Sequence, residues 1–512
     1  MHKMPRRNFL KAAGAAIATL PIGAQSWADS PAQVPTGAST QPADKGRRPN
    51  ILVFFTDDHG QWAQHGYGNS ELVTPNMDRI TASGTRMAQA FTPSPVCSPS
   101  RACFFTGRMP SQHGIHDWLE EKNGSARHPG LTGQTLISEL LLRAGYYTGL
   151  VGKWHCGLDE QPKPGFDYWF SYWDSQYPHK GRQKFSNQGK LAMEDGHQSP
   201  YLTARAIEFL RKHRSDGAAG QKPFFLFVGY VDTHSPHESA PDDLVKRYES
   251  ATFRDIPDET FPACHGRPKD PRKGKPADKP RELIEYYAAV SSIDREIGNV
   301  LAELEATGEL ANTLVVYTGD HGLNTCHHGM WEKGNGTVPQ NFLEESVRVP
   351  CALSWPAGGI RQNATCDDLV NHCDLWATLL DVAGASPAAA TAEQINSPGV
   401  SYLRQLRGTA DPSWRRVIIS EYGNARMARD MRYKLIRRYA YNGVRFSDEL
   451  YDLENDARET INRINDPQLA TAIEKLSAEL DRFFGKYTVA GQSGLDLDHK
   501  TAMYPVPIWA AT

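Results

Sequence analysis

Five short clusters hold the residue types most able to do chemistry. Asp57-Asp58-His59-Gly60 opens on adjacent carboxylates, and Cys97-Ser98-Pro99-Ser100-Arg101 sets a thiol four residues before a guanidinium. Gly152-Lys153-Trp154-His155 puts a cation two residues from an imidazole, Asp232-Thr233-His234 supplies another imidazole, and Gly319-Asp320-His321-Gly322 joins a carboxylate to a third. Hard carboxylate oxygens suit Ca²⁺ or Mg²⁺, and an imidazole nitrogen widens the choice of metal. Lysine and arginine neutralise an oxyanion, and histidine exchanges protons near neutral pH. Lys333, in Trp331-Glu332-Lys333-Gly334, follows the Asp320 loop and adds a further cation. Either aspartate alone reads as a loop cap, and a lone lysine as a solvated side chain. The recurrence of one pattern is what favours a metal and anion site.

Ser98 is a good N-cap, Pro99 suits a first helical turn, and Thr106-Gly107 reads as a stop. Cys97 is then expected just outside a helix N-terminus, where free N–H groups and the helix dipole favour negative charge. On that ground alone it is either a low-pKa thiolate or a packed core cysteine.

The elements that must position these clusters are legible as apolar runs. Residues 50–56 form a continuous one, as a strand buried on both faces does. Helices are expected at 74–86, 132–144, 201–213 and 281–307, and strands at 146–151, 224–231 and 313–317. This alternation predicts an α/β fold, a mostly parallel sheet flanked by helices. The Asp57, Lys153, His234 and Asp320 clusters each follow the carboxyl end of a strand, the edge at which open α/β sheets bind ligands. Beyond Pro398 short antiparallel strands are expected at 416–421, 425–431 and 433–439, then Glu449-Leu450-Tyr451-Asp452-Leu453 and a helix at 467–484. We therefore divide the chain into an α/β domain at 49–400, an α+β subdomain at 401–488 and an extension at 489–512.

The first residues read as an export signal. Arg6-Arg7-Asn8-Phe9-Leu10-Lys11 resembles a twin-arginine motif, with Pro5 where Ser or Thr is usual. An apolar run at 12–24 and a small-residue cleavage site at Ser26-Trp27-Ala28 complete a signal at 1–28, and a linker follows at 29–48. The run is too short to span a membrane comfortably. A folded protein carried by the twin-arginine machinery to the periplasm or beyond is the expectation. The 512 residues carry a net charge of −3, which offers no global field for nucleic acid or an anionic membrane. The eight cysteines follow no zinc or disulfide spacing, and Cys366 and Cys373 read as one packed helix face.

From residue 49 to about 466 the chain resembles the type I sulfatases, formylglycine enzymes of the alkaline-phosphatase-like superfamily. The resemblance rests on Asp57-Asp58, Thr74-Pro75-Asn76-Met77-Asp78-Arg79, Cys97-Ser98-Pro99-Ser100-Arg101, Gly152-Lys153-Trp154-His155, Thr233-His234-Ser235-Pro236, Gly319-Asp320-His321-Gly322 and Arg348-Val349-Pro350, in family order. Arg432-Tyr433-Lys434-Leu435-Ile436 and Glu449-Leu450-Tyr451-Asp452-Leu453 resemble the family's C-terminal part. The resemblance implies that a maturation enzyme oxidises Cys97 to formylglycine, whose hydrate attacks sulfur. It implies that Asp57, Asp58, Asp320, His321 and residue 97 hold one Ca²⁺, with Mg²⁺ or Mn²⁺ as lesser alternatives. His321 stands where many relatives have Asn, which leaves the metal's identity open. Arg101, Lys153 and Lys333 are then expected to bind sulfate oxygens. His234 is expected to protonate the leaving alcohol, and His155 to take the second hydroxyl's proton so that sulfate departs.

The expected substrate is a sulfated carbohydrate. His116, Trp173, Ser175 and His179 are its candidate contacts. The aromatic segment Phe166 to Tyr177 fits sugar stacking or packing beneath a loop equally well. The basic run at 264–282 reads as a solvated loop with some electrostatic role. A phosphonate monoester hydrolase or phosphodiesterase on the same scaffold is one alternative, and a non-catalytic binder of sulfated glycans is another.

Overall fold

The structure, a computed structural model, describes residues 47–119, 130–173, 179–237, 240–260, 262–268, 279–440 and 443–495. The export signal, nearly all of the linker, Ser175, most of the basic run and the end of the extension lie outside these residues.

A ten-stranded sheet organises the body. Its strands are β1 (Asn50–Thr56), β2 (Thr85–Met87), β3 (Tyr147–Gly152), β4 (Tyr168–Tyr172), β5 (Lys180–Asn187), β6 (Lys190–His197), β7 (Phe224–Tyr230), β8 (Thr313–Gly319), β9 (Cys351–Ser354) and β10 (Ala364–Cys366). Their order is β10-β2-β9-β8-β1-β7-β3-β4-β5-β6. The central run from β8 to β4 is parallel. Pairing turns antiparallel on both sides of it, so the sheet is mixed at its margins.

Every residue of β1, β7 and β8 is buried, because helices cover both faces. Ile51, Val53 and Phe55 face one layer, with α2 (Cys97–Thr106), α3 (Ile137–Arg143) and α6 (His372–Ala383). Leu52 and Phe54 face the other, with α1 (Pro75–Ala82), α4 (Gln198–Ser215) and α5 (Lys279–Ala306). Each such side chain contributes roughly 1.5–3 kcal/mol by leaving water. A separate antiparallel sheet holds β11 (Ile418–Tyr422), β12 (Ala425–Arg429), β13 (Tyr433–Arg438) and β14 (Glu449–Asp452). Its Ile419, Ala428, Leu435 and Leu450 pack on Leu476, Leu480 and Phe484 of α7 (Ala470–Tyr487). Its other face packs on Phe91, Val96 and Phe342 of the body. No helix among the described residues is long and apolar enough to cross a membrane.

Several expectations need correction. The helix expected at 74–86 ends at Ala82, because residues 85–87 join the sheet and Gly84 passes against the Leu353 carbonyl, where a Cβ would lie 2.1 Å from its oxygen. The helix expected at 132–144 begins only at Ile137, where Glu139 accepts from the Leu136 N–H at 2.9 Å. Cys366 and Cys373 share no helix. Asn371 caps α6 by accepting from the N–H groups of Cys373 and Asp374, which leaves Cys366 in β10. Tyr168, Trp169, Phe170 and Tyr172 are buried β4 residues, so these members of the aromatic segment pack the core.

Candidate active site

Register brings the clusters together. Thr56 pairs with Gly319 on one side and Tyr230 on the other, and Gly229 pairs with Gly152. Four neighbouring strands thus end level, and the residues just past them share one edge. Asp58 adopts a left-handed backbone with φ 51°, so the chain turns at once and its carboxylate joins that of Asp57. The Asp58 N–H donates to Asp320 Oδ1 at 3.2 Å and ties the two acidic loops.

Cys97 is the first residue of α2, with extended Val96 as the N-cap. Ser98 does not cap the helix. Its hydroxyl instead accepts from the Leu119 N–H at 2.9 Å and anchors the loop after the helix. The Cys97 thiol lies 3.3 Å from Asp57 Oδ1, 3.2 Å from His321 Nε2 and 3.4 Å from Lys333 Nζ. Lys153 donates to Asp57 and Lys333 to Asp58. Arg101 is fully buried; its Nε donates to Asp320 Oδ2 at 3.0 Å and its Nη1 to the Lys153 carbonyl at 2.9 Å. Its Nη2 lies 4.0 Å from Asp57 Oδ1 and has no hydrogen-bond acceptor. A buried guanidinium nitrogen in that state is a donor awaiting an anion.

Charge follows this geometry. Burial alone would raise Asp57, but Lys153, His234, Arg101 and Lys333 hold its carboxyl well below the usual range. Burial raises Asp58, against the pull of Lys333. Burial and the Asp57 charge push Asp320 well up. They also push the Cys97 thiol up, the opposite direction from the low-pKa thiolate that a helix N-terminus first implies. Burial and Lys333 lower His321 to about 3.

Asp57, Asp58, Cys97 and His321 each present a ligand atom within 4.8 Å of the others. His321 Nδ1 is 2.9 Å from the Gly322 carbonyl and donates to it, which leaves the Nε2 lone pair facing the cluster. Asp320 sits at the rim, its Oδ2 engaged by Arg101 and its Oδ1 3.5 Å from His321 Nε2. The donor set of hard oxygens with one imidazole fits a divalent cation.

His234 Nδ1 bonds the Ser235 carbonyl at 2.6 Å, and its Nε2 lies 4.0 Å from Asp58 Oδ2. Burial and Lys333 lower it to about 3. Lys153 and His155 do not extend side by side. Gly152 and His155 both take left-handed φ, 102° and 55°, and His155 Nε2 turns to the Leu119 carbonyl at 3.0 Å. Burial and Lys153 lower His155 well below its ordinary value. Among the substrate candidates, His179 is buried with its ring 6.5 Å from that of His234. Trp173 is half-buried at the end of β4. His116 bonds the Gln492 carbonyl of the extension at 2.9 Å.

Three residues that the sequence did not flag also enter the site. Thr233, Tyr286 and Ser100 donate their hydroxyls to the main-chain carbonyls of Asp57, Asp58 and Asp320, respectively. Ser100 lies within the cysteine cluster and Thr233 beside His234, but a tyrosine on a core-facing helix carries no sequence signal for this role.

The profile of the Sulfatase family matches residues 49–385. The chain belongs to the sulfatase family. The profile of the N-sulphoglucosamine sulphohydrolase C-terminal region matches residues 328–485 of this sulfatase. The N-acetylglucosamine-6-O-sulfatase of Bacteroides thetaiotaomicron is 26% identical over 87% of this chain and 88% of its own length. Arylsulfatase A of Bos taurus is 30% identical over 66% of this chain and 64% of its own. A solved complex of a protein with its substrate D-glucosamine-2-N,6-O-disulfate superposes with a TM-score of 0.74 at 24% identity, over 87% of this chain and 99% of that one. The sulfatase hydrolyses sulfate esters.

Proposed function

We propose that this sulfatase removes sulfate from a sulfated carbohydrate, with Cys97 matured to formylglycine and one divalent cation, Ca²⁺, at Asp57, Asp58, Asp320, His321 and residue 97. One observation carries the reading. The Cys97 side chain meets Asp57, His321 and Lys333 at 3.2–3.4 Å, beside an Arg101 Nη2 that has no acceptor. The cation supplies Lewis acidity and neutralises charge next to the nucleophile. Formylglycine supplies a hydrated aldehyde, with one hydroxyl to attack sulfur and a second through which sulfate can leave.

The chain's own groups do the rest. Arg101, Lys153 and Lys333 hold the sulfate oxygens while charge moves to the leaving oxygen. His234 has Nδ1 committed to Ser235, so Nε2 carries the proton given to the leaving alcohol. His155 donates Nε2–H to Leu119, which makes Nδ1 its accepting atom for the proton removed as sulfate is expelled. His179, His116, Trp173 and Ser175 are the proposed sugar contacts. The Bacteroides relative is named an N-acetylglucosamine-6-O-sulfatase and the solved complex holds D-glucosamine-2-N,6-O-disulfate, which supports a sugar. A formylglycine-generating enzyme and the twin-arginine machinery are the proposed partners, with the periplasm or the extracellular space as the destination.

The test has two arms. Mass spectrometry of the Cys97 peptide should find an aldehyde in place of the thiol. Matured enzyme should release sulfate from sulfated glucosamine oligosaccharides faster than it hydrolyses aryl phosphonate esters. A thiol in fully active enzyme, or the opposite preference, would overturn the reading.

A further inference from the structure

We propose that the three buried hydroxyls of Thr233, Tyr286 and Ser100 are positioning residues for the metal centre. They clamp the backbone carbonyls of its three aspartates, Asp57, Asp58 and Asp320. The inference rests on the metal-centre reading above and extends it to residues that touch neither cation nor substrate.

Each aspartate has its own clamp, and each clamp comes from a different element. Thr233, just past β7, donates to the Asp57 carbonyl. Tyr286, on α5, donates to the Asp58 carbonyl at 3.0 Å. Ser100, on α2, donates to the Asp320 carbonyl. All three residues are wholly buried. Ser100 is itself oriented by His372, whose Nδ1 lies 3.1 Å from the hydroxyl; the hydroxyl proton goes to the Asp320 carbonyl, so Nδ1 is the donor of that contact.

The need for clamps follows from the backbone. Adjacent residues in an extended strand aim their side chains to opposite faces. Asp57 and Asp58 converge only because the chain reverses at the left-handed Asp58. A bond to each carbonyl fixes the peptide planes on both sides of that reversal, and hence where each carboxylate points. A hydroxyl does this without charge, so it neither competes with the cation nor repels it. A lysine or arginine in the same place would do one or the other.

Tyr286→Phe is the cleanest probe, because the ring also packs on Trp62 and His237 at 5.7 and 5.2 Å and that packing survives. The measurements are the Ca²⁺ dissociation constant by calorimetry and the melting temperature after stripping with chelator, for the mature enzyme and the variant. Loss of an outer-shell partner weakens metal binding by about 10–100-fold. We expect a rise of about tenfold or more, with the stripped protein melting where wild type does. Thr233→Val is the second variant, should Tyr286→Phe not fold. Equal Ca²⁺ affinity in variant and wild type would overturn the clamp alone. A weakened affinity matched by a lower melting temperature of the stripped protein would make the hydroxyl merely structural and would also overturn it. Failure of wild type to take up any divalent cation would overturn the metal centre and the clamp with it.

Discussion

Two clusters in this chain each join carboxylates to an imidazole and end in opposite states. One lies at the level strand ends of the parallel sheet. The other lies where the four-stranded sheet meets the body and gathers His328, Glu345 and Glu459, whose ligand atoms also fall within 4.8 Å of one another. In the second cluster every carboxylate oxygen has a partner. Glu345 bonds His328 at 2.9 Å and Arg458 at 2.5 Å. Glu459 accepts from Lys434 at 2.7 Å and from the Glu344 N–H at 2.8 Å, and Glu344 takes both Lys434 and Arg429. In the first cluster Arg101 Nη2 has no acceptor and the His321 lone pair faces the donors. Burial and residue type do not separate a site from a joint. What separates them is the kind of group left open: each keeps one buried nitrogen without a partner, but in the first it is the cationic Arg101 Nη2, 4.0 Å from the Asp57 carboxylate, and in the second the His328 Nδ1.

The largest effect should come from the first cluster. Cys97→Ser should lower kcat by at least about 10³-fold, as loss of a nucleophile does, while the melting temperature holds. Turnover within tenfold of wild type would mean that residue 97 is not the nucleophile, and the contrast between clusters would lose its functional half. Next comes Lys434→Met in the second cluster. It strands Glu459 in the interior and leaves Glu344 to Arg429 and Arg348, so it should cost about 3–5 kcal/mol of stability, read by denaturant unfolding, with kcat/KM unchanged below the transition. A loss of divalent cation binding in this variant would show that the joint is a metal site after all. Arg101→Lys keeps the charge but not the fork, and should lower kcat by about 10²–10³-fold, as removal of one aimed donor does.

What was legible in the sequence follows from the same physics. Asn50–Thr56, Phe224–Tyr230 and Thr313–Gly319 are buried on both faces, so they read as plain apolar runs, and the first polar residue beyond each marks the shared edge. The hairpin of β5 and β6 escaped notice because exposed Lys180, Arg182, Lys184, Lys190 and Asp195 interrupt any apolar alternation, and its apolar Leu191 and Met193 are themselves exposed. Strands β2, β9 and β10, of three or four residues each, are too short to show a period. Within the site, charged and thiol side chains announce themselves by type. Thr233 and Tyr286 act through main-chain carbonyls, and the turn of His155 depends on a left-handed residue that no residue-type pattern predicts.

The smallest effect sharpens the comparison through pH. Burial alone would raise Glu344, yet Arg429, Lys434 and Arg348 hold its carboxyl down at about 2 against an ordinary 4.5. A carboxylate depressed on folding contributes stability that is complete above the ordinary value and is lost as pH falls toward the folded one. The joint should therefore weaken between about pH 4.5 and pH 2, and the melting temperature should fall across that window. Glu345 adds to the fall, since despite burial His328, His327 and Arg458 hold it well below its ordinary value, whereas Glu459, raised by burial, pulls the other way. Glu344→Gln removes the titrating group and keeps its shape, so it should flatten the slope below pH 4.5. Melting curves of the two proteins that stay parallel from pH 5 to pH 2.5 would show that the cations around Glu344 do not hold it ionised. The joint would then owe its cohesion to packing on Phe342 and Ile436, and the two clusters would differ in kind rather than in which group each leaves open.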